Sequence, residues 1–306
     1  MKNHIVQSLL LTVLAISFAA CNTQSGQNND QNQAFQFAFI TDIHLEPERN
    51  ATEGLLAAID TINKINPDFV ITGGDLIMDA LGQSWGRADS LYKLYIKTTQ
   101  NFKMPVYNTM GNHEIYGIYK RSKAARNHQE FGEKMFENRL GKSYYSFDHK
   151  GWHFIILNSI EEVDTGDAYM GYVDSAQMEW IKKDLETVGP EIPIIISTHI
   201  PMATTFYNVT DDPLYAKKPG DVIVNTPEVL KLFEGHNLKL VLQGHMHILE
   251  EIKIRGITFV TAGAISAKWW RGPYYGIEEG FALVTLNCND FDWEYVDYGW
   301  DVKNED

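Results

Sequence analysis

The sequence predicts an α/β protein in which mixed β-sheets are covered by helices. Short β-branched and aromatic runs first alternate with segments of helical periodicity, and consecutive strand-like runs then follow. Of the 306 residues, 44% are hydrophobic, which is enough for a large core. A chain in which strands first alternate with helices and then follow one another directly is typical of sheets with helices on their outer faces. No internal linker or repeat is visible, so we expect one domain at 35–306.

The predicted elements follow one another in a regular order. Strands are expected at 35–41, 68–72, 105–110, 192–198 and 238–242, with a hairpin of 143–148 and 152–158 turning at Lys150-Gly151 and further strands to about residue 298. Helices are expected at 50–66, 87–101, 123–138, 174–188 and from Thr226 onward. Their predicted N-terminal signals are Asn50 with Glu53, Asp174 with Gln177, and Pro227.

The composition excludes several classes of protein. The chain has 26 basic and 40 acidic residues, a net charge of −14, and no basic run, so we expect no nucleic-acid binding. Two cysteines, Cys21 and Cys288, are too few for a zinc finger, an iron–sulfur cluster or a disulfide scaffold. An anionic small molecule is compatible with this charge, because bound metal ions reverse the local charge of a pocket.

The N-terminal segment predicts export. The apolar stretch at 9–20 is too short to span a bilayer but suits a signal peptide, which we assign to 1–20. Residues 18–21 resemble the lipobox of bacterial lipoproteins, in which the cysteine is lipidated after cleavage. We therefore expect a membrane anchor on Cys21, followed by a flexible linker to residue 34, with the folded part facing the periplasm or the cell surface. The alternative is an ordinary secretory signal and a soluble periplasmic or secreted protein.

Clusters of metal-ligating residue types directly follow the predicted strands. The five clusters are Asp42-Ile43-His44, Gly74-Asp75, Gly111-Asn112-His113-Glu114, Ser197-Thr198-His199 and Gly244-His245-Met246-His247. Loops at the carboxyl ends of strands collect the sites of α/β folds. Aspartate, asparagine and histidine without cysteine suit manganese, iron, zinc or similar divalent ions. With one bridging carboxylate, such a set can hold two ions that clamp a phosphoryl group.

In this order, the five clusters resemble the pattern of the calcineurin-like metallophosphoesterase superfamily over about 36–287. The resemblance implies a four-layer αββα sandwich and a two-metal hydrolase. It implies a first ion on Asp42, His44 and His247, a second on Asn112, His199 and His245, a bridging Asp75 and a catalytic His113 that stabilises or protonates the leaving-group oxygen. Purple acid phosphatases share the pattern but carry an iron-binding tyrosine three residues after the bridging aspartate. Because Met78 stands there, we do not place the chain among them.

The resemblance also implies the reaction. We expect hydrolysis of a small-molecule phosphate ester by in-line attack of a metal-bound hydroxide, with a phosphodiester favoured as substrate. A phosphomonoesterase that scavenges phosphate is one alternative. The other is a non-catalytic lipoprotein that uses the metal-binding fold as a binding surface.

Two segments are candidates for contacting the substrate. Residues 268–275 contain four aromatic and two cationic side chains, from which we select Arg271, Trp269 and Trp270 as substrate-binding candidates. The alternative is that these aromatic side chains pack between strands. The segment 116–126 carries four basic residues directly after His113, namely Lys120, Arg121, Lys123 and Arg126. It is either a lid that touches anionic substrates or a solvated start of a helix.

Overall fold

The computed structural model describes residues 34–163 and 168–302. The predicted signal peptide at 1–20, Cys21 and the linker as far as residue 33 lie outside these described residues. Within the two described ranges, no helix has the length and apolar character that crossing a membrane requires.

Two mixed β-sheets form the centre of the protein. The strands are β1 (Phe35–Ile40), β2 (Phe69–Thr72), β3 (Val106–Tyr107), β4 (Tyr145–His149), β5 (Trp152–Ile156), β6 (Ile160–Glu162), β7 (Tyr169–Gly171), β8 (Pro193–Thr198), β9 (Asn237–Gln243), β10 (Glu250–Ile254), β11 (Ile257–Thr261), β12 (Gly280–Asn287) and β13 (Asp290–Asp297). One sheet has the order β13-β12-β1-β2-β3 and the other β10-β11-β9-β8-β5-β4. In the six-stranded sheet, parallel pairs occupy the middle and antiparallel pairs the two edges. In the five-stranded sheet, β1, β2 and β3 are parallel, while β12 pairs antiparallel with both β1 and β13.

Helices cover the outer faces of both sheets. They are α1 (Ala51–Ile65), α2 (Trp85–Thr99), α3 (Lys134–Leu140), α4 (Ser175–Leu185), α5 (Phe206–Thr210) and α6 (Thr226–Leu232). Asp174 caps α4 by accepting a hydrogen bond from the Gln177 N–H at 2.7 Å, as predicted. The predicted cap of α1 is wrong: Asn50 has a left-handed backbone and its side chain makes no capping bond.

Side chains alternate between the two faces of the central strands, and this alternation produces the layers. Phe37 of β1 meets Phe154 of β5 between the sheets, with ring centroids 5.6 Å apart, and Ile195 of β8 joins the same cluster. Ala38 and Ile40, the alternate residues of β1, belong instead to the core that includes the helices. The predicted four-layer αββα sandwich is confirmed.

The segment after His113 departs from the predicted helix at 123–138. Only α3 is helical there, and 123–133 forms turns and an isolated β-bridge at Gly132. Gly132 exchanges two backbone hydrogen bonds with Tyr116, of 3.0 and 2.8 Å, and its φ of +72° is unsuited to a helix. These bonds occupy the backbone groups that a continuous helix would need.

Candidate metal centre

The eight predicted site residues lie together where the central strands of both sheets end. Asp42 and His44 follow β1, Asp75 follows β2, Asn112 and His113 come after β3, His199 follows β8, and His245 and His247 follow β9. Parallel strands present their carboxyl ends at one edge. The Asp42 N–H donates to the Gly74 carbonyl at 3.0 Å, and the Gly244 N–H donates to the His199 carbonyl at 3.0 Å. These bonds fasten neighbouring loops within each sheet.

Five of the eight residues have an unusual left-handed backbone. Their φ angles are 53° at Asp42, 45° at His44, 50° at Asp75, 70° at His245 and 54° at His247. A non-glycine residue in this region carries strain, which surrounding structure must hold in place. Such strain, gathered in one spot, is characteristic of a functional site.

One half of the site consists of Asp42, His44 and His247. The Nε2 atom of His247 lies 3.3 Å from Asp42 Oδ1 and 3.0 Å from His44 Nε2. All three side chains are buried, and one ligand atom from each lies within 4.8 Å of the others. These atoms can share a single cation.

The other half is arranged around His199. Its Nε2 atom lies 3.2 Å from Asp75 Oδ1, 3.0 Å from Asn112 Oδ1 and 3.2 Å from His245 Nδ1. Asp75 also approaches the first half, because its Oδ2 atom is 3.6 Å from His44 Nε2. The two oxygens of Asp75 thus face the two halves of the site, which is the position of a bridging ligand.

Backbone carbonyls fix the tautomers of three histidines. The Nδ1–H of His199 donates to the Gly73 carbonyl at 2.8 Å, that of His247 to the Ala267 carbonyl at 2.6 Å, and that of His113 to the Met78 carbonyl. A carbonyl only accepts, so Nδ1 carries a proton in each ring, and Nε2 is the nitrogen that presents a lone pair when the ring is neutral. Lone pairs that converge in a buried space, together with two carboxylates, fit a divalent metal centre.

The electrostatics keep most of the donors in their ligating forms. Burial opposes ionisation of Asp42, yet the charge of His247 holds its pKa at about 2. Burial and the neighbouring His199 lower the pKa of His245 to about 4, so this ring is neutral at pH 7. His199 and His247 are different. Although burial opposes both shifts, the Asp75 carboxylate raises the pKa of His199 to about 9, and the Asp42 carboxylate raises the pKa of His247. To bind a cation near pH 7, His199 must release its proton.

Of the three substrate-binding candidates, the structure places one at the site. Trp269 is half-buried and its ring lies 4.4 Å from that of His247. Trp270 is only 1% exposed, and its Nε1–H donates to the backbone carbonyls of Ile43 and His44 at 2.9 and 3.2 Å. It therefore supports the turn that carries His44 and does not face a substrate. Trp270 thus has a packing role and not the predicted substrate-binding role. Arg271 is exposed, and it forms no ion pair with any residue that the structure describes.

Glu114 is a supporting residue whose role the sequence did not reveal, although it belongs to the Gly-Asn-His-Glu cluster. It is fully buried, and its carboxylate accepts hydrogen bonds from four backbone N–H groups. The donors are Asp75 at 2.9 Å, Leu76 at 2.8 Å, Ile77 at 3.2 Å and Gly111 at 2.7 Å. Glu114 therefore joins the loop that carries Asp75 to the loop that carries Asn112.

We predict that Glu114→Gln destabilises the protein by about 2–4 kcal/mol, because an amide N–H₂ would confront two buried N–H donors. Urea unfolding measures the loss. The control is Glu179→Gln. The Glu179 side chain is 56% exposed, so this substitution should change the free energy of unfolding by no more than about 0.5 kcal/mol. Equal unfolding midpoints for the two variants would contradict the supporting role of Glu114.

Comparison with known proteins identifies relatives over about 70% of the chain. The model of the calcineurin-like phosphoesterase family matches residues 35–249. The chain is 23% identical over 215 residues to the serine/threonine-protein phosphatase CPPED1 of Bos taurus, covering 69% of this chain and 64% of that protein. It is 27% identical over 227 residues to purple acid phosphatase 22 of Arabidopsis thaliana, covering 71% of this chain and 45% of that protein. The chain thus spans less than two thirds of the length of these curated relatives.

Solved structures agree in fold. A dimetal phosphatase from Danio rerio superposes with a TM-score of 0.61 at 14% identity, over 87% of this chain and 99% of that one. GAP50, the anchor in the inner membrane complex of Plasmodium, superposes with a TM-score of 0.50 at 13% identity, over 87% of this chain and 85% of that one. The family model covers well over half of the chain, and the four layers are those that the resemblance implied. The chain belongs to the calcineurin-like phosphoesterase family.

Proposed function

We propose that the chain is a phosphoester hydrolase that works with two divalent ions. One observation carries the proposal: two carboxylates, an amide oxygen and four imidazoles converge in a buried space with Asp75 between two halves. Divalent ions bound there would activate water and neutralise the charge of a phosphoryl group. Membership of the family supports this reading, because the ligand set that its resemblance implied is complete in this chain.

His113 is the residue placed to act on the substrate. Its Nδ1–H donates to the Met78 carbonyl, which fixes the ring. Its Nε2 atom lies 3.7 Å from Asp75 Oδ2, and 23% of the side chain is exposed, whereas His44, His199 and His247 are buried. The ring can therefore approach a phosphoryl group at the centre and deliver a proton to the leaving-group oxygen.

We propose a phosphodiester as the preferred substrate, with a monoester as the alternative. Asp42 and Asp75 cancel two of the four positive charges of two divalent ions, while the amide and imidazole ligands are neutral when bound. The positive charge that remains would attract an attacking hydroxide and an anionic phosphoryl group. The charge of the site is therefore compatible with the anionic phosphoryl group of a diester.

We predict that His113→Ala retains bound metal but lowers kcat about 10²–10⁴-fold, because the general acid is lost while the ligands stay. Metal content by mass spectrometry and turnover are measured on the same sample. His236→Ala is the control, since His236 lines an apolar cavity that contains none of the site residues, and its activity should be unchanged. Unchanged turnover in His113→Ala would remove the role assigned to His113.

We predict that the protein lacking residues 1–21 binds about two metal ions per chain and hydrolyses bis-p-nitrophenyl phosphate with a higher kcat/KM than p-nitrophenyl phosphate. Both esters are assayed on one metal-analysed sample. The reverse preference would indicate a monoesterase. Bound metal without hydrolysis of either ester would favour the non-catalytic metal-binding lipoprotein.

We also propose that the enzyme is exported and anchored through a lipid on Cys21, with the soluble exported form as the alternative. The support is the apolar stretch at 9–20 and the lipobox-like residues 18–21. We predict that Cys21→Ala abolishes palmitate labelling and moves the protein from the membrane to the soluble fraction. Cys288→Ala is the matched control and should keep both the palmitate label and the membrane location. Membrane association that persists without label would contradict the lipid anchor.

A further inference from the structure

A cavity of about 460 Å³ opens beside the candidate metal centre. Asn112 and His113 form part of its wall, and the rest comes from residues between β1 and α1, from the loop after β2, from α2, from the segment after His113 and from Tyr169 of β7. Two other cavities, of about 320 and 550 Å³, include none of the eight site residues. The cavity beside His113 is therefore placed to receive part of a substrate.

The position of His113 decides which part of the substrate the cavity receives. In the proposed reaction this ring protonates the oxygen that departs from phosphorus, so the group attached to that oxygen must lie next to His113. In-line displacement puts the attacking oxygen on the opposite side of phosphorus. The cavity wall that contains His113 is accordingly the wall that faces the leaving group.

Guanidinium groups outnumber carboxylates in this wall, although the chain as a whole has a net charge of −14. Arg49, Arg87 and Arg121 line the cavity with Glu46 and Asp79. Each guanidinium offers five N–H donors in a planar fork that suits carboxylate and phosphate oxygens. Their ion pairs with acidic neighbours occupy only part of these donors.

Arg121 is the arginine that the structure holds in place while leaving it accessible. Its Nη2 atom lies 3.2 Å from Asp79 Oδ2, and its Cζ atom lies 5.0 Å from the centroid of the Tyr119 ring. It packs so closely on Gly82 that a Cβ there would overlap its Nε atom. The side chain is nevertheless 65% exposed. A preorganised and accessible guanidinium loses little freedom when it binds an anion.

We propose that this cavity is a leaving-group subsite, and that Arg121 selects phosphate esters whose leaving group carries an anionic group of its own, a carboxylate or a second phosphate. The inference rests on the proposed hydrolase function and names its substrate class. Apolar and aromatic side chains of the same wall, among them Leu81, Leu91 and Tyr169, contact the carbon skeleton between the two anionic groups.

The test compares three esters that share one phosphoryl half: methyl 4-nitrophenyl phosphate and its 3-carboxy and 3-phosphonomethyl derivatives on the nitrophenyl ring. Full-length protein purified in detergent and loaded with metal should show kcat/KM about tenfold higher for the derivatives, through a lower KM. The derivative with the lower KM identifies which anion the subsite prefers.

Arg121→Gln should raise KM for the two charged derivatives about tenfold more than for the parent ester, because the lost contact is to the added anion. Arg126→Gln is the matched control: Arg126 is 57% exposed in the same segment, pairs with Glu162 and does not line the cavity. It should leave the preference unchanged. Calorimetry with 3-carboxy-4-nitrophenol alone supplies a second readout, and Arg121→Gln should weaken its binding about tenfold.

Three outcomes overturn parts of the argument separately. Equal KM values for the three esters in the unaltered protein would exclude the subsite. An equal fall in kcat for all three esters in Arg121→Gln would make Arg121 a positioning residue that acts on His113 through Asp79 and Met78. Bound metal with no hydrolysis of any ester would refute the hydrolase function, while binding of the nitrophenol that depends on Arg121 would still support the subsite.

Discussion

Two carboxylates and four imidazoles share one buried space, and the rest of the structure depends on holding them there. Nε2 of His44 lies 3.0 Å from Nε2 of His247, and Nε2 of His199 lies 3.2 Å from Nδ1 of His245. At such distances, facing lone pairs repel unless a proton or a cation lies between them. The Asp75 carboxylate keeps a proton on His199, with a pKa of about 9. Metal binding near neutral pH is therefore coupled to release of that proton.

Surrounding groups hold the strained turns that bring these donors together. Glu114 accepts four backbone N–H groups and ties the Asp75 loop to the loop of Asn112. The Nε1–H of Trp270 donates to the backbone carbonyls of Ile43 and His44, which flank the α-carbon of His44. Gly74 has a φ of +91°, and a Cβ there would lie 2.6 Å from His199 Nδ1. Left-handed residues persist only where their neighbours over-determine the backbone in this way.

Features with local signals were predictable from the sequence, and features made by distant packing were not. The hairpin turns at Lys150 and Gly151, as its sequence predicted, and their φ values are 44° and 84°. The donors were predictable because each follows a strand, and parallel strands end at one edge. The sequence did not reveal that Trp270 is buried, because its burial depends on Gly54, a distant residue that leaves room for its ring. Trp270 was therefore predicted to bind the substrate. No spacing rule relates Arg87 to Arg121, so the cavity they line was not predicted.

Substrate choice depends on side chains around the centre, because divalent ions bind phosphoryl groups of every ester. Two kinds of side chain stand beside it. Next to His247 stand aromatic rings, with Trp269 at 4.4 Å and Tyr274 at 6.2 Å between ring centroids. Next to His113 stands the arginine-lined cavity. In the proposed reaction His113 protonates the departing oxygen, and the leaving group is therefore assigned to the arginines. The aromatic rings beside His247 are not part of that cavity, and in the same proposal they are available to the half of a diester that stays on phosphorus, a half that a monoester lacks.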